Sequence, residues 1–243
     1  MSNAKTPQTG TRPYDIFVIG LTLLSLINLV LYVVAKDDNI LHVVGLMDRF
    51  FSIFFLADFV RLLLQSQSKS VYVFKEYGWA DFLASLPMPQ FKLLRLIRLV
   101  KAYALIKRSG GRRIVRDFMR NKATGALYII FFFIIVLLQY GSIFVLAAER
   151  ANTEANIKTA SDAIWWTYVT ITTVGYGDRY PTTNQGRVIG MVVMLVGVGL
   201  FAVMTGFLAN KFLPSEDNEP NDTNDIDALK KELADIKSLL QQK

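Results

Sequence analysis

Residues 123–148 and 184–212 are two apolar runs of membrane-crossing length, and between them stands SDAIWWTYVTITTVGYGDRYP. That insertion constrains the fold more than any other part of the chain. Crossing a hydrocarbon layer takes about 20 apolar residues. At about 12 residues, 161–172 is too short for that and reads as a re-entrant helix, with Ser161 or Asp162 as its N-cap. A membrane tolerates irregular backbone only where protein surrounds it. The stretch after this short helix, 173–177, is therefore expected to be enclosed by protein.

Four further runs precede it, at about 13–35, 43–67, 70–87 and 91–108. The second contains Asp48, Arg49, Asp58 and Arg61, so lipid cannot surround it on every side. The third is the weakest, interrupted by Lys75 and Glu76 and ended by Pro87 and Pro89. With 52% hydrophobic and only 19% charged residues, the charges clustered, the chain reads as an all-α membrane protein. It has no cysteine, which excludes disulfides and cysteine metal sites, and its one histidine, His42, cannot build a histidine metal centre. No cofactor is expected. The run behind residues 1–12 is too long for a signal-peptide core and no small-residue cleavage site follows, so it reads as a retained helix.

Lysine and arginine set the orientation. Lys5 and Arg12, Lys69 and Lys75, and the crowd from Lys107 to Lys122 all fall on one side if both termini are cytoplasmic. The net charge of +7 sits beside apolar segments, which points to anionic inner-leaflet lipid at 108–122 rather than to nucleic acid. The segment 109–122 reads as an interfacial linker helix. After the last run, 213–225 is an acidic linker. Then Ile226, Leu229, Leu233, Ile236 and Leu240 alternate at spacings of three and four, a short coiled-coil seam over 226–243.

The segment TTVGYGDRYP carries the chemistry. Gly175 and Gly177 permit backbone angles that aim successive carbonyls one way. Thr173, Val174, Gly175 and Tyr176 then offer carbonyl oxygens, and Thr173 a hydroxyl. Rings of such oxygens replace the water of a dehydrated potassium ion, and TVGYG is the sequence known for this. A ring needs four strands, so a homotetramer is implied. The C-terminal end of the re-entrant helix carries partial negative charge, which favours a cation. Trp165 and Trp166 are expected to wedge behind the filter strand, Tyr176 to point away from the pore into them, and Asp178 to support the filter.

Residues 91–108 repeat a cation every third position, at Lys92, Arg95, Arg98 and Lys101, with Lys107 resuming the series after Ala104. Cations in a membrane segment are costly unless paired. Counter-charges exist at Asp48 and Asp58, ten apart on the second run, and at Asp81 on the third.

Together these residues resemble the voltage-gated potassium channels of the six-helix type, over about residues 13–212. The resemblance implies a four-helix voltage sensor (13–108) followed by a two-helix pore domain (123–212) with a re-entrant pore helix and filter. It also implies a place in the cell membrane. Phe55 matches the family's aromatic plug; Asp58 and Asp81 would receive each cation on its inner side, Asp48 on its outer side. The linker at 109–122 would couple sensor to pore. Gly197 matches the family's hinge in the last helix and Gly199 shares that role, although glycines in membrane helices also serve close packing. Lysine at two of the four repeat positions, Ala104, and the absence of a Pro-x-Pro bend depart from the family pattern. A potassium pore with a static sensor-like domain remains the alternative. An enzyme is not expected, because the chain has no nucleophile–base set and no phosphate loop.

Overall fold

The computed structural model describes residues 13–66, 68–75, 78–86, 94, 96–97, 100, 122–212, 229–234 and 237. The cations of the three-residue repeat, Lys92, Arg95, Arg98, Lys101 and Lys107, the linker segment 109–121 and most of the heptad seam lie outside them. Among the described residues the elements are all helices: α1 (Pro13–Val34), α2 (Asp38–Gln65), α3 (Lys69–Lys75), α4 (Gly78–Ser85), α5 (Lys122–Glu149), α6 (Ala160–Ile171) and α7 (Asn184–Phe212). Among the described residues, α1, α2, α5 and α7 are long and apolar enough to cross a membrane.

Two boundaries differ from the sequence reading. The helix expected over 43–67 begins earlier, at Asp38. Asp37 caps it by accepting from the Asn39 amide at 3.0 Å, and Asp38 places a second carboxylate in the first turn, where the helix dipole favours it. The helix expected over 70–87 is instead described as α3 and α4. Tyr72 of α3 lies so close to α4 that a Cβ on Gly78 would sit 2.7 Å from its ring. Only glycine allows that approach.

By contact the chain divides into two units, residues 1–205 and 206–243. In the first, α1, α2, α5 and α6 share one core with part of α7. Leu21, Val43, Phe51, Phe55 and Val145 lie there fully enclosed. Lipid tails are as apolar as these side chains, so shape fit and polar links hold the helices together rather than expulsion of water. Aromatic rings supply much of the fit. Phe17 of α1 packs at 5.7 Å on Phe54 of α2 and at 5.6 Å on Tyr128 of α5, and Phe54 at 5.9 Å on Phe131. In the second unit, residues 206–212 complete α7 and residues 229–234 are helical, with Leu229 and Leu233 exposed.

Candidate functional site

The short helix α6 is fixed at both ends. Its N-cap is Thr159, ahead of the expected Ser161 or Asp162. The Thr159 hydroxyl accepts from the Asp162 amide, and the Asp162 carboxylate accepts from the Thr159 amide at 3.1 Å, a closed capping box. Asp162 also accepts from the Lys158 amide and pairs with Arg179 at 3.0 Å. Burial raises its pKa, but the Thr159 side chain, the two amides and the Arg179 charge outweigh burial and leave it below the ordinary aspartate value. The sign follows. The bound form is the carboxylate, so its stabilisation is present above the unfolded pKa and is lost as pH falls through the lowered one. Thermal stability of the protein in detergent is expected to drop on acidification below the ordinary aspartate range. Asp162→Asn should flatten that drop. An unchanged acid limb in Asp162→Asn would refute this role.

At its other end α6 stops in a Schellman turn. The Thr173 amide donates to the Thr170 carbonyl and the Val174 amide to the Val169 carbonyl, each at 3.1 Å. The residue after the cap of such a turn takes a left-handed conformation and is usually glycine. Here it is Thr173, with φ +61°. A β-branched residue with positive φ is strained. The strain falls on the first residue of TVGYG. Gly175 and Gly177 follow with φ +61° and +77°, while Val174 and Tyr176 are not left-handed. The sign of φ thus alternates through all five residues. In an ordinary strand successive carbonyls point to opposite sides. Inverting every second φ undoes that alternation and lets neighbouring carbonyls share one side.

The two tryptophans divide the work that the sequence reading gave to both. Trp165 stacks on Tyr176, centroids 5.7 Å apart and planes 2° from parallel, and its indole donates to Asp178 at 2.8 Å. Trp165, Tyr176 and Asp178 therefore form one cluster beside the strand. Trp166 is buried and faces α7 instead, where a Cβ on Gly190 would lie 3.6 Å from its ring. A Cβ on Gly197 would be 3.1 Å from the Ile171 backbone, so Gly197 is a packing contact between α7 and α6. At Gly199 an added Cβ meets nothing within 4 Å.

The acids occupy two levels of α2. Phe55 is fully enclosed and Asp58, also buried, lies one turn further along. Asp81 of α4 is also buried and accepts from the Tyr72 hydroxyl at 3.2 Å. Rings beside these two aspartates touch: Phe59 packs on Phe82 at 5.4 Å and on Tyr72 at 6.2 Å. That contact packs the stretch of α2 carrying Asp58 against the stretch of α4 carrying Asp81. Asp48 stands about 15 Å back along the axis from Asp58, on the other side of Phe55, at 1.5 Å per residue. There it accepts from Asn28 of α1 at 3.2 Å.

A match to the family described as ion transport protein covers residues 11–218. The chain belongs to that family. Membership sets it among ion transport proteins rather than enzymes. It is 39% identical over 85 residues to a protein of Aeropyrum pernix named voltage-gated potassium channel; the match covers 35% of this chain and 29% of that one. It is 36% identical over 98 residues to the calcium-gated potassium channel TvoK of Thermoplasma volcanium, 40% of this chain and 28% of that one. It is 37% identical over 86 residues to potassium voltage-gated channel subfamily A member 5 of Mustela putorius furo, 35% and 14%. Each match spans less than a third of the relative's length.

Three polar links in this ion transport protein escaped the sequence reading. Asn28 and Gln139 pair their amides, at 2.6 and 3.3 Å, and so tie α1 to α5. Glu149, at the end of α5, accepts from the amides and hydroxyls of Thr182 and Thr183. Arg61 joins Asp15 of α1 to Asp58. Asn28 and Gln139 gave one signal, a lone amide side chain in an otherwise apolar run, but nothing in the spacing named the partner.

Proposed function

We propose that four copies of this chain assemble around one axis into a potassium-selective channel of the cell membrane, with both termini cytoplasmic. Carbonyls of Thr173, Val174, Gly175 and Tyr176 and the Thr173 hydroxyl replace the ion's water, and Gly177 closes the strand. The observation that carries this reading is the alternating sign of φ from Thr173 to Gly177, at the end of a capped helix whose C-terminus favours a cation. Trp165 and Asp178 brace the strand, and Trp166 ties α6 to α7. Val174 and Tyr176 are more than half exposed on the single chain, as is Leu195 of α7, which leaves surface for neighbouring copies. The heptad seam at 226–243 supports the same assembly.

Gating by voltage completes the proposal. The cations Lys92, Arg95, Arg98, Lys101 and Lys107 pass Phe55 in turn, received by Asp58 and Asp81 inside and Asp48 outside. One charge moved through 100 mV contributes about 2.3 kcal/mol, so several charges in each of four subunits suffice to open a pore. The linker at 109–122, held by anionic inner-leaflet lipid, carries the movement to α7. Of the two glycines, Gly199 is the bend, because Gly197 is occupied by packing. The second reading is a pore gated by another signal, as in the relative named calcium-gated.

Purified protein in a planar bilayer tests both parts. With potassium and sodium on opposite sides, the current is expected to reverse close to the potassium equilibrium potential. Equal passage of sodium would overturn the filter assignment. Conductance rising steeply over a limited voltage range is expected; conductance flat with voltage would leave only the second reading.

A further inference from the structure

Arg179 stands two residues past Gly177, and the sequence reading gave it no role. The structure gives it two ties. Its Nη2 pairs with Asp162 Oδ1 at 3.0 Å, and its Nη1 donates to the Asn156 carbonyl. Asp162 serves both the helix cap and this pair because its oxygens divide the work: Oδ2 accepts the Lys158 and Thr159 amides. The neighbours of Arg179 are tied as well. The Tyr180 amide donates to Asn156 Oδ1 at 3.1 Å, and Asp178 accepts from the Trp165 indole. Asp162 and Trp165 are three apart on α6, hence on one face, and that face meets residues 178 and 179.

The strand 173–177 is thus held at its two ends. The Schellman turn fixes its start, and the ties of 178–180 fix its finish. Between them, a Cβ added at Gly175 or Gly177 meets nothing of the chain within 4 Å. Carbonyl oxygens gathered on one side carry like partial charges, so they repel one another when no cation lies among them. The strand then depends on its end ties, and Arg179 supplies the charged part of the second.

We infer that Arg179 is a positioning residue for the filter: it joins the start of α6 to the chain just past the strand and keeps the carbonyls in place when few ions occupy them. The inference rests on the potassium-filter reading. The two side chains are 38% and 16% exposed, and ion pairs so exposed add little to overall stability. The effect of losing the pair is therefore local. Helix α6 keeps its cap, and the strand loses one of its end ties.

Single-channel recording in a planar bilayer tests this on Arg179→Gln, Asp162→Asn and the double variant, in low and in high potassium. Asparagine still accepts the cap amides, so Asp162→Asn removes the pair and spares α6. Four weak links per pore together correspond to conducting periods about tenfold shorter in low potassium, in both single variants. In high potassium, where ions hold the carbonyls, the periods are expected to return close to the parent length. The double variant is expected to match Arg179→Gln, because both substitutions break one pair. A charge acting on ion flow alone gives another pattern: Arg179→Gln raises the unit current, Asp162→Asn lowers it, and the periods keep the parent length. That pattern overturns the brace, as does equal shortening at both potassium levels. If Asp162→Asn does not assemble, Arg179→Lys carries the test beside Arg179→Gln. Lysine keeps the charge but lacks the fork that reaches Asp162 and Asn156 together, so shorter periods are expected again. Periods of parent length in Arg179→Lys overturn the brace. A parent protein that passes sodium as readily as potassium sinks the filter reading itself, and that result is visible before any variant is made.

Discussion

Replacing Gly175 by alanine will abolish potassium-selective current while leaving the assembled protein intact. Space does not forbid the change, since an added Cβ meets nothing within 4 Å. Conformation does. Gly175 sits at φ +61°, and an L residue with a side chain pays roughly 1–2 kcal/mol there. In the proposed ring of four strands the cost arises four times at one level. The cheaper outcome is for φ to turn negative, which sends the neighbouring carbonyl away from the axis. The ion then loses a ring of oxygens it needs in place of water. Thr173 shows that a side chain is tolerated at positive φ, but only where the Schellman turn of α6 locks the backbone with two hydrogen bonds. At Gly175 the remaining bond is a long one, 3.4 Å to the Val169 carbonyl, and does not lock it. Bilayer recording with potassium and sodium gradients, beside size-exclusion chromatography, is the check. Selective current from Gly175→Ala at the parent level would remove the alternating backbone from the mechanism.

The sequence made some of this legible and hid the rest for physical reasons. Aspartates inside an apolar helix announce themselves because burying a charge is costly, and Asp48, Asp58 and Asp81 are all buried. The glycine pair marked where the backbone leaves its ordinary angles. The N-cap of α6 was misplaced because the stretch TASD offers three capping residue types within four positions, and only the closed box between Thr159 and Asp162 decides among them. Giving both tryptophans one task ignored helix geometry. Adjacent residues on an α-helix point about 100° apart, so within one chain Trp165 and Trp166 face different neighbours. That error was avoidable. The Asn28–Gln139 pair was not, since its partners are 111 positions apart and one amide among many leucines fits any neighbouring helix equally well.

The buried carboxylate of Glu149 supports the last prediction. It is fully enclosed, and it accepts the amides of Thr182 and Thr183 at 2.9 Å each, together with both hydroxyls. This fastens the C-terminal end of α5 to the start of α7, around the segment that holds residues 173–177. A glutamine of the same shape presents an NH2 where a carboxylate oxygen stood, so one donor faces another. Each buried donor left unsatisfied costs about 1–3 kcal/mol, and Glu149→Gln is expected to lower the thermal stability of the detergent-solubilised protein by several degrees. Gly186 gives an independent test of the same contact. A Cβ there would fall 2.1 Å from Glu149 Oε1. A long side chain usually swings aside from such a clash, but this carboxylate swings only by releasing Thr183. Gly186→Ala is therefore expected to be strongly destabilising in the parent protein and much milder once Glu149 is alanine. The two substitutions share one contact, and shared contacts break additivity. Melting curves of the four proteins in the cycle decide it: if the cost of Gly186→Ala is the same in both backgrounds, Glu149 is not what holds α5 to α7.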